Sequence, residues 1–185
     1  MPQTIKYILL NGPPQSGKST IARELTSSLN MMIANGCAIS DSLAAPMKHF
    51  VATALGEKYD RIPKASPLAE LSGDTMRQFL IKLAEDYLKK HYGNDVFARW
   101  LVFRSLRYPH LPKFVVVDDL GFPEEVDAVP DPYIIRVERP GYDFQNDSRQ
   151  YVDGFRNYIH NDGDMANIWA RVSQIARELK DQYGH

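Results

Sequence analysis

The chain has 185 residues, 44% of them hydrophobic and 24% charged, a balance that suits one self-folding domain and excludes a disordered chain. Its 22 basic and 23 acidic residues leave a net charge of −1, so no global positive field collects nucleic acid nonspecifically. The single cysteine, Cys37, excludes an internal disulfide and a cysteine-rich zinc site, and reads as a small core residue in a reducing cytoplasm. Residues Met1 to Thr4 carry no basic flank, and the apolar run Tyr7 to Leu10 is far too short for a signal peptide or membrane span. No membrane association is expected.

In chain order, Ile5 to Asn11 is a β-rich run ending at a glycine, and Ser19 to Asn30 repeats Ile21, Leu25 and Leu29 at helical spacing. A short strand is expected around Ala38 to Ser40, then a helix through Met47, Phe50, Val51, Ala54 and Leu55 that ends at Gly56. The polar, proline-bearing stretch 57–73 reads as a mobile excursion. Thr75 to His91 places Met76, Phe79, Leu80, Leu83, Ala84 and Tyr87 on one face of an amphipathic helix, with Arg77 at the edge of that stripe. A helix from Asp95 to Leu106 precedes the β-branched run Phe114 to Val117, which suggests a central parallel strand buried on both faces.

Tyr133 to Glu138 is the next expected strand. The segment 139–156, rich in Asp, Gln, Asn, Gly and Arg, reads as a lid. Tyr158 to His160 is a last short strand, followed by a closing helix with Met165, Ile168, Trp169, Val172, Ile175, Ala176 and Leu179 on its core face. Strands alternating with helices, without internal repeats, predict a three-layer α/β domain: a parallel sheet of about five strands with helices on both faces.

Gly12-Pro13-Pro14-Gln15-Ser16-Gly17-Lys18-Ser19 matches GxxxxGK[ST] in full, after a predicted strand and before a predicted helix. The spelling follows the chemistry of phosphate capture. Glycines let backbone N–H groups turn inward, and the helix N-terminus directs its positive end at the anion. Lys18 then reaches the β and γ phosphates of a nucleoside triphosphate, the Ser19 hydroxyl ligates magnesium, and Thr20 is placed to touch the α phosphate. The ion needs a carboxylate from the end of a neighbouring strand, which Asp118 or Asp119 can supply. Arg77, Arg139, Arg149 and Arg156 are candidates to match charge on a transferring phosphoryl group. Asp41, just past the second strand, reads either as a helix N-cap or as a base facing an acceptor.

These pieces together resemble the phage-type deoxynucleoside monophosphate kinases of the P-loop nucleoside monophosphate kinase fold. Beside the P-loop, the resemblance rests on Leu43 to Lys48, Thr75 to Leu80, Asp95 to Arg99, Val117 to Glu125, Ile135 to Gly141 and Asn161 to Gly163. It implies ATP as donor, magnesium bound with help from Asp118, Arg77 on the acceptor phosphate, and the Asn161 region beside the donor base. The family's arginine after the strand aspartate is replaced here by Leu120-Gly121. A monophosphate acceptor needs no strong base, whereas a hydroxyl acceptor such as a 5-hydroxymethylpyrimidine in phage DNA would use Asp41 as one. That alternative, a DNA-hypermodification kinase, would employ the aromatics Tyr142, Phe144, Tyr151, Phe155 and Tyr158 interleaved with the arginines. An NTPase switch is a third reading, and no NKxD string supports it. The expected partner is a nucleotide acceptor or modified DNA, the expected location the cytoplasm (a host's if viral), and the expected state a monomer or homodimer.

Overall fold

The computed structural model describes residues 4–33, 37–58, 61–62, 66–145 and 147–184. Five strands, β1 (Lys6–Asn11), β2 (Ala38–Asp41), β3 (Phe114–Leu120), β4 (Tyr133–Glu138) and β5 (Asn157–His160), form one sheet in the order β2-β3-β1-β4-β5. Every pairing is parallel, as the alternation of strands and helices predicts. The order places β1 at the centre, with the end of β3 beside the loop that leaves β1.

Period-two alternation distributes the core between two faces. Ile8 and Leu10 of β1 and Phe114 and Val116 of β3 pack on α1 (Lys18–Met32) and α7 (Met165–Tyr183) through Ile21, Leu25, Ile168 and Val172. Tyr7, Leu9, Val115 and Val117 point the other way, onto Phe97 and Leu101 of α5 (Val96–Ser105) and Met47 of α2 (Ala45–Ala54). The central strands are buried on both sides, which is why Phe114 to Val117 is a continuous apolar run. A third, smaller cluster of Val51, Ala52, Ile62, Leu71 and Met76 joins α2 to the start of α3 (Met76–Lys82). A short α6 (Pro123–Asp127) follows β3. No helix among the described residues is long and apolar enough to cross a membrane.

Three sequence expectations need correction. Two residues expected on core faces turn to solvent: Phe50 on α2, whose buried residues are Met47, Val51 and Ala52, and Met165 at the start of α7. In the helical run that starts at Met76, residues Leu83–Lys89 wind as a π-helix before closing in α4 (Lys90–Tyr92). An i→i+5 ladder advances each residue by less than the 100° of an α-helix. The register therefore slips: Tyr87 turns outward, 53% exposed, and Lys89 turns inward, 7% exposed.

The third concerns the lid. Residues 149–152 lie tied across the ends of the sheet. Asn11, fully buried at the end of β1, donates to the Leu120 and Gln150 carbonyls and accepts from the Val152 N–H, each at 3.0 Å. The Gln150 N–H in turn donates to the Gly121 carbonyl at 3.0 Å. Asn11→Ala removes the partner of three backbone groups, two of them in the buried residues Leu120 and Val152, and a loss of ~2–3 kcal/mol is expected, read as a lower urea midpoint at unchanged slope. Of the expected excursion 57–73, residues 59–60 and 63–65 lie outside the described set; the remainder includes a 3-10 turn, Ala69–Leu71, with Leu71 and Ile62 buried.

Candidate active site

The loop between β1 and α1 is shaped by two close approaches. A β-carbon on Gly12 would collide with the Val137 carbonyl oxygen. Gly17, at φ 94, leaves no room either, because the Asn161 amide sits against it. That amide donates to the Ser16 carbonyl at 2.8 Å, and Arg139 donates to the Gln15 carbonyl at 2.9 Å, so both β4 and the turn before α7 hold the loop. Gln15 adopts a left-handed φ of 62, one of the turns that aim successive N–H groups into a single concavity.

Lys18 folds back into this loop and donates to the Gly12 and Pro13 carbonyls at 2.7 and 2.6 Å. Burial pushes its ammonium pKa down to about 8, and the nearby Arg149 guanidinium pushes the same way, while Asp118 and Asp119 oppose them. Ser19 and Thr20 are exposed at the first turn of α1, open to an incoming anion.

The two aspartates of β3 have different tasks. The Asp118 carboxylate accepts a hydrogen bond from the Ser19 hydroxyl, and burial, with the Asp119 charge beside it, raises its pKa. Asp119 serves the α2 entrance instead: Oδ1 accepts from the Leu43 N–H at 2.7 Å, and Oδ2 accepts from the Ser42 hydroxyl at 2.9 Å and the Ala44 N–H at 3.1 Å. A desolvated carboxylate and a hydroxyl facing each other are hard oxygen donors suited to magnesium, and a dication there would relieve the Asp118–Asp119 repulsion.

Asp41 lines a second cavity with Lys48 and Asp118, and its carboxylate is held in an ion pair. Arg104 of α5 grips it with both arms of its guanidinium, Nε to Oδ2 at 2.9 Å and Nη2 to Oδ1 at 3.0 Å, and Tyr108 adds a hydroxyl at 3.3 Å. The fork fixes the position and plane of the Asp41 carboxylate, and it is Asp119 that meets the N–H groups of Leu43 and Ala44 in the turn before α2. Arg156 lies away from the loop: its N–H joins the Ile134 carbonyl, and its side chain reaches Tyr183 and Asp131, two residues before β4. Of the five aromatics named for stacking, Tyr142, Phe155 and Tyr158 are exposed, and four of the five contact an arginine or each other. Tyr151 and Phe155 lie over Arg136, Phe144 meets Tyr151 edge-on, and Arg139 covers Tyr142.

Beside this centre opens a cavity of about 950 Å³ between α2, α3 and the 147–149 segment. Arg77 and Arg149 line one end and both donate to Asp147, at 3.3 and 2.7 Å. Met47, Leu80, Ala84, Phe97 and Phe122 form apolar walls. Glu85 and Lys89, paired at 2.9 Å with Lys89 stacked on the Phe122 ring, supply polar groups further along. Glu125, 4% exposed, accepts from the Gly121 and Phe122 N–H groups, and burial pushes its pKa up to about 7.

A folded-state acid raised above its ordinary 4.5 costs stability once ionised. Stability should fall as pH climbs from about 4.5 through 7, with the cost complete above that range. Glu125→Gln keeps a carbonyl acceptor without the charge. It should exceed wild type by ~2–3 kcal/mol at pH 8 and match it near pH 4.5 in melting curves taken across pH.

Sequence reasoning missed Asn11, Arg104, Asp147 and the hold of Asp119 on the turn before α2. Only Asp147 left a local trace, since an aspartate two residues before an arginine can form the Asx turn seen here, with the Arg149 N–H donating to Oδ1 at 3.0 Å.

A parallel sheet in this order, with a complete phosphate-binding loop between its central strand and first helix, defines the P-loop kinase fold. No family model matches the chain, and no curated protein matches its sequence. Among solved structures, a provisionally assigned kinase from Chloroflexus aurantiacus superposes with a TM-score of 0.50 at 12% identity, covering 98% of this chain and 99% of that one. The APS kinase of Mycobacterium tuberculosis in complex with AMPPNP and APS gives 0.49 at 15% identity, and its Cys556Ala mutant 0.47 at 14%, each over 100% of both chains.

Proposed function

We propose that the chain is a phosphotransferase that moves the γ-phosphoryl group of ATP onto a deoxynucleoside or nucleoside monophosphate. The observation that carries this reading is the cavity beside the P-loop, cationic where Arg77 and Arg149 converge and apolar or aromatic along its walls. A phosphate monoester matches the first end and a nucleobase the second. The polar pair Glu85 and Lys89 lies two to three turns along the helical run from Arg77, at ~12 Å or more, a separation that suits the length of a nucleotide.

In this scheme Gly12 to Thr20 wrap the donor phosphates, and Lys18 exchanges its two carbonyl partners for phosphate oxygens. Magnesium, held by Ser19 and Asp118, would spread the negative charge of the donor when bound. Arg149 faces the transferring group, and Arg77 orients the acceptor for in-line attack. The fork on Asp41 argues against a hydroxyl acceptor that relies on that carboxylate.

The test follows label from γ-labelled ATP into deoxynucleoside monophosphates in one series, and into plain or hydroxymethylpyrimidine-containing DNA in another, with Asp41→Asn alongside. Label in diphosphates, with Asp41→Asn near wild type, is expected. Label entering only the modified DNA, and lost in Asp41→Asn, would refute the acceptor assigned here.

A further inference from the structure

Arg149 is wired rather than mobile, and the wiring has three parts. First, its side-chain stem crosses Gly121 so closely that a β-carbon there would overlap Cβ, Cγ and Cδ of the arginine. Gly121 therefore serves as a groove, and the need is for space. Second, Asp147 meets the guanidinium fork to fork, Nε to Oδ1 at 2.8 Å and Nη2 to Oδ2 at 2.7 Å, which fixes the plane of the group as well as its position. Third, Oδ2 of the same carboxylate accepts from Arg77, so one buried anion joins the two cations of the cavity end. The Asp147 side chain is 8% exposed, and its arginine partners hold its pKa down to about 2.

Without that anion the arrangement is electrostatically strained. Lys18 and Arg149 already repel enough to help lower the lysine pKa, and Arg77 adds a third positive charge to the same wall. A long side chain freed from its partner gains rotamer entropy and relief of repulsion by turning to solvent.

We propose that Asp147 is a positioning residue that, together with the Gly121 groove, holds Arg149 aimed at the transferring phosphoryl group before any ligand arrives. The inference rests on the phosphoryl-transfer reading above but not on the identity of the acceptor. Asp147 stabilises the reacting state through Arg149 and adds nothing to ground-state nucleotide affinity.

The test compares binding of ADP alone with ADP plus aluminium fluoride and magnesium, a planar mimic of the phosphoryl group in flight, by calorimetry on the full chain. Wild type should gain affinity from the fluoride. Asp147→Asn should lose about ten- to a hundredfold of the affinity for the mimic while ADP changes by less than about twofold. Gly121→Ala, which keeps both charged residues and fills the groove, should give the same signature. Asp147→Glu should recover part of the loss. Arg149→Met should lose as much, and Asp147→Asn should cost nothing further in that background.

Equal losses for ADP and the mimic, no loss for either, or multiplicative losses in the double variant would each overturn the proposal. So would a wild type that gains nothing from the fluoride. A wild type that captures the mimic tightly yet phosphorylates no monophosphate refutes the acceptor reading alone.

Discussion

Replacing Lys18 by alanine is expected to lower phosphoryl transfer by about 10³-fold or more, since a buried cation aimed at developing charge is worth at least that much in a water-poor site. Near-normal activity in this variant would refute the mechanism. The same residue predicts a proton signature. In the empty loop its pKa is about 8, and triphosphate oxygens replacing the Gly12 and Pro13 carbonyls would raise it. Near pH 8 about half the lysines are neutral and take up a proton on binding. Calorimetry of ATP binding in buffers of different ionisation enthalpy should therefore report an uptake approaching half a proton near pH 8. The uptake should vanish by pH 6 and be absent in the alanine variant.

Asp118→Asn is expected to produce opposite effects on activity and stability. Removing the carboxylate paired with Ser19 should cost about 10²- to 10³-fold in magnesium-dependent transfer and shift the magnesium requirement upward. The nucleotide-free protein should nonetheless become harder to unfold. Burial and the Asp119 charge raise the Asp118 pKa in the fold, so its ionised form is a stability cost that sets in as pH rises through the carboxylate range. The asparagine removes it. Melting curves at pH 7 without nucleotide should show a higher midpoint for the variant, and added ATP with magnesium should stabilise wild type more than the variant.

Much of this architecture is legible along the chain because its signals are local. The run Phe114 to Val117 announces a strand buried on both faces, and Gly12 to Ser19 spells its own purpose, since backbone capture of phosphate depends on consecutive residues. What could not be read depends on partners far apart in sequence. Asp41 and Arg104 are 63 residues apart, and Asp119 holds the turn of Ser42, Leu43 and Ala44, 75 to 77 residues earlier; neither carboxylate carries a sign of which donor it meets. The π winding of Leu83–Lys89 was invisible for another reason. An apolar stripe assumes a fixed advance per residue, and that assumption put Tyr87 inside and left Lys89 out. Arg149 was one of four arginines the sequence offered, and nothing in its neighbours foretold the Asp147 fork; a polar segment pinned by one buried asparagine gives the same composition as a swinging lid.

The tie made by Asn11 also decides where the molecule can breathe. Opening residues 149–152 means breaking hydrogen bonds at the ends of β1 and β3, so those amides should exchange with solvent only through events that loosen the sheet. The α2–α3 side rests on the small cluster of Val51, Ala52, Ile62, Leu71 and Met76, with far less apolar surface to lose. Its amides should exchange first and in concert. Closure around an acceptor would then be a movement of that side towards a stationary wall, with the donor site and Arg149 serving as the anvil.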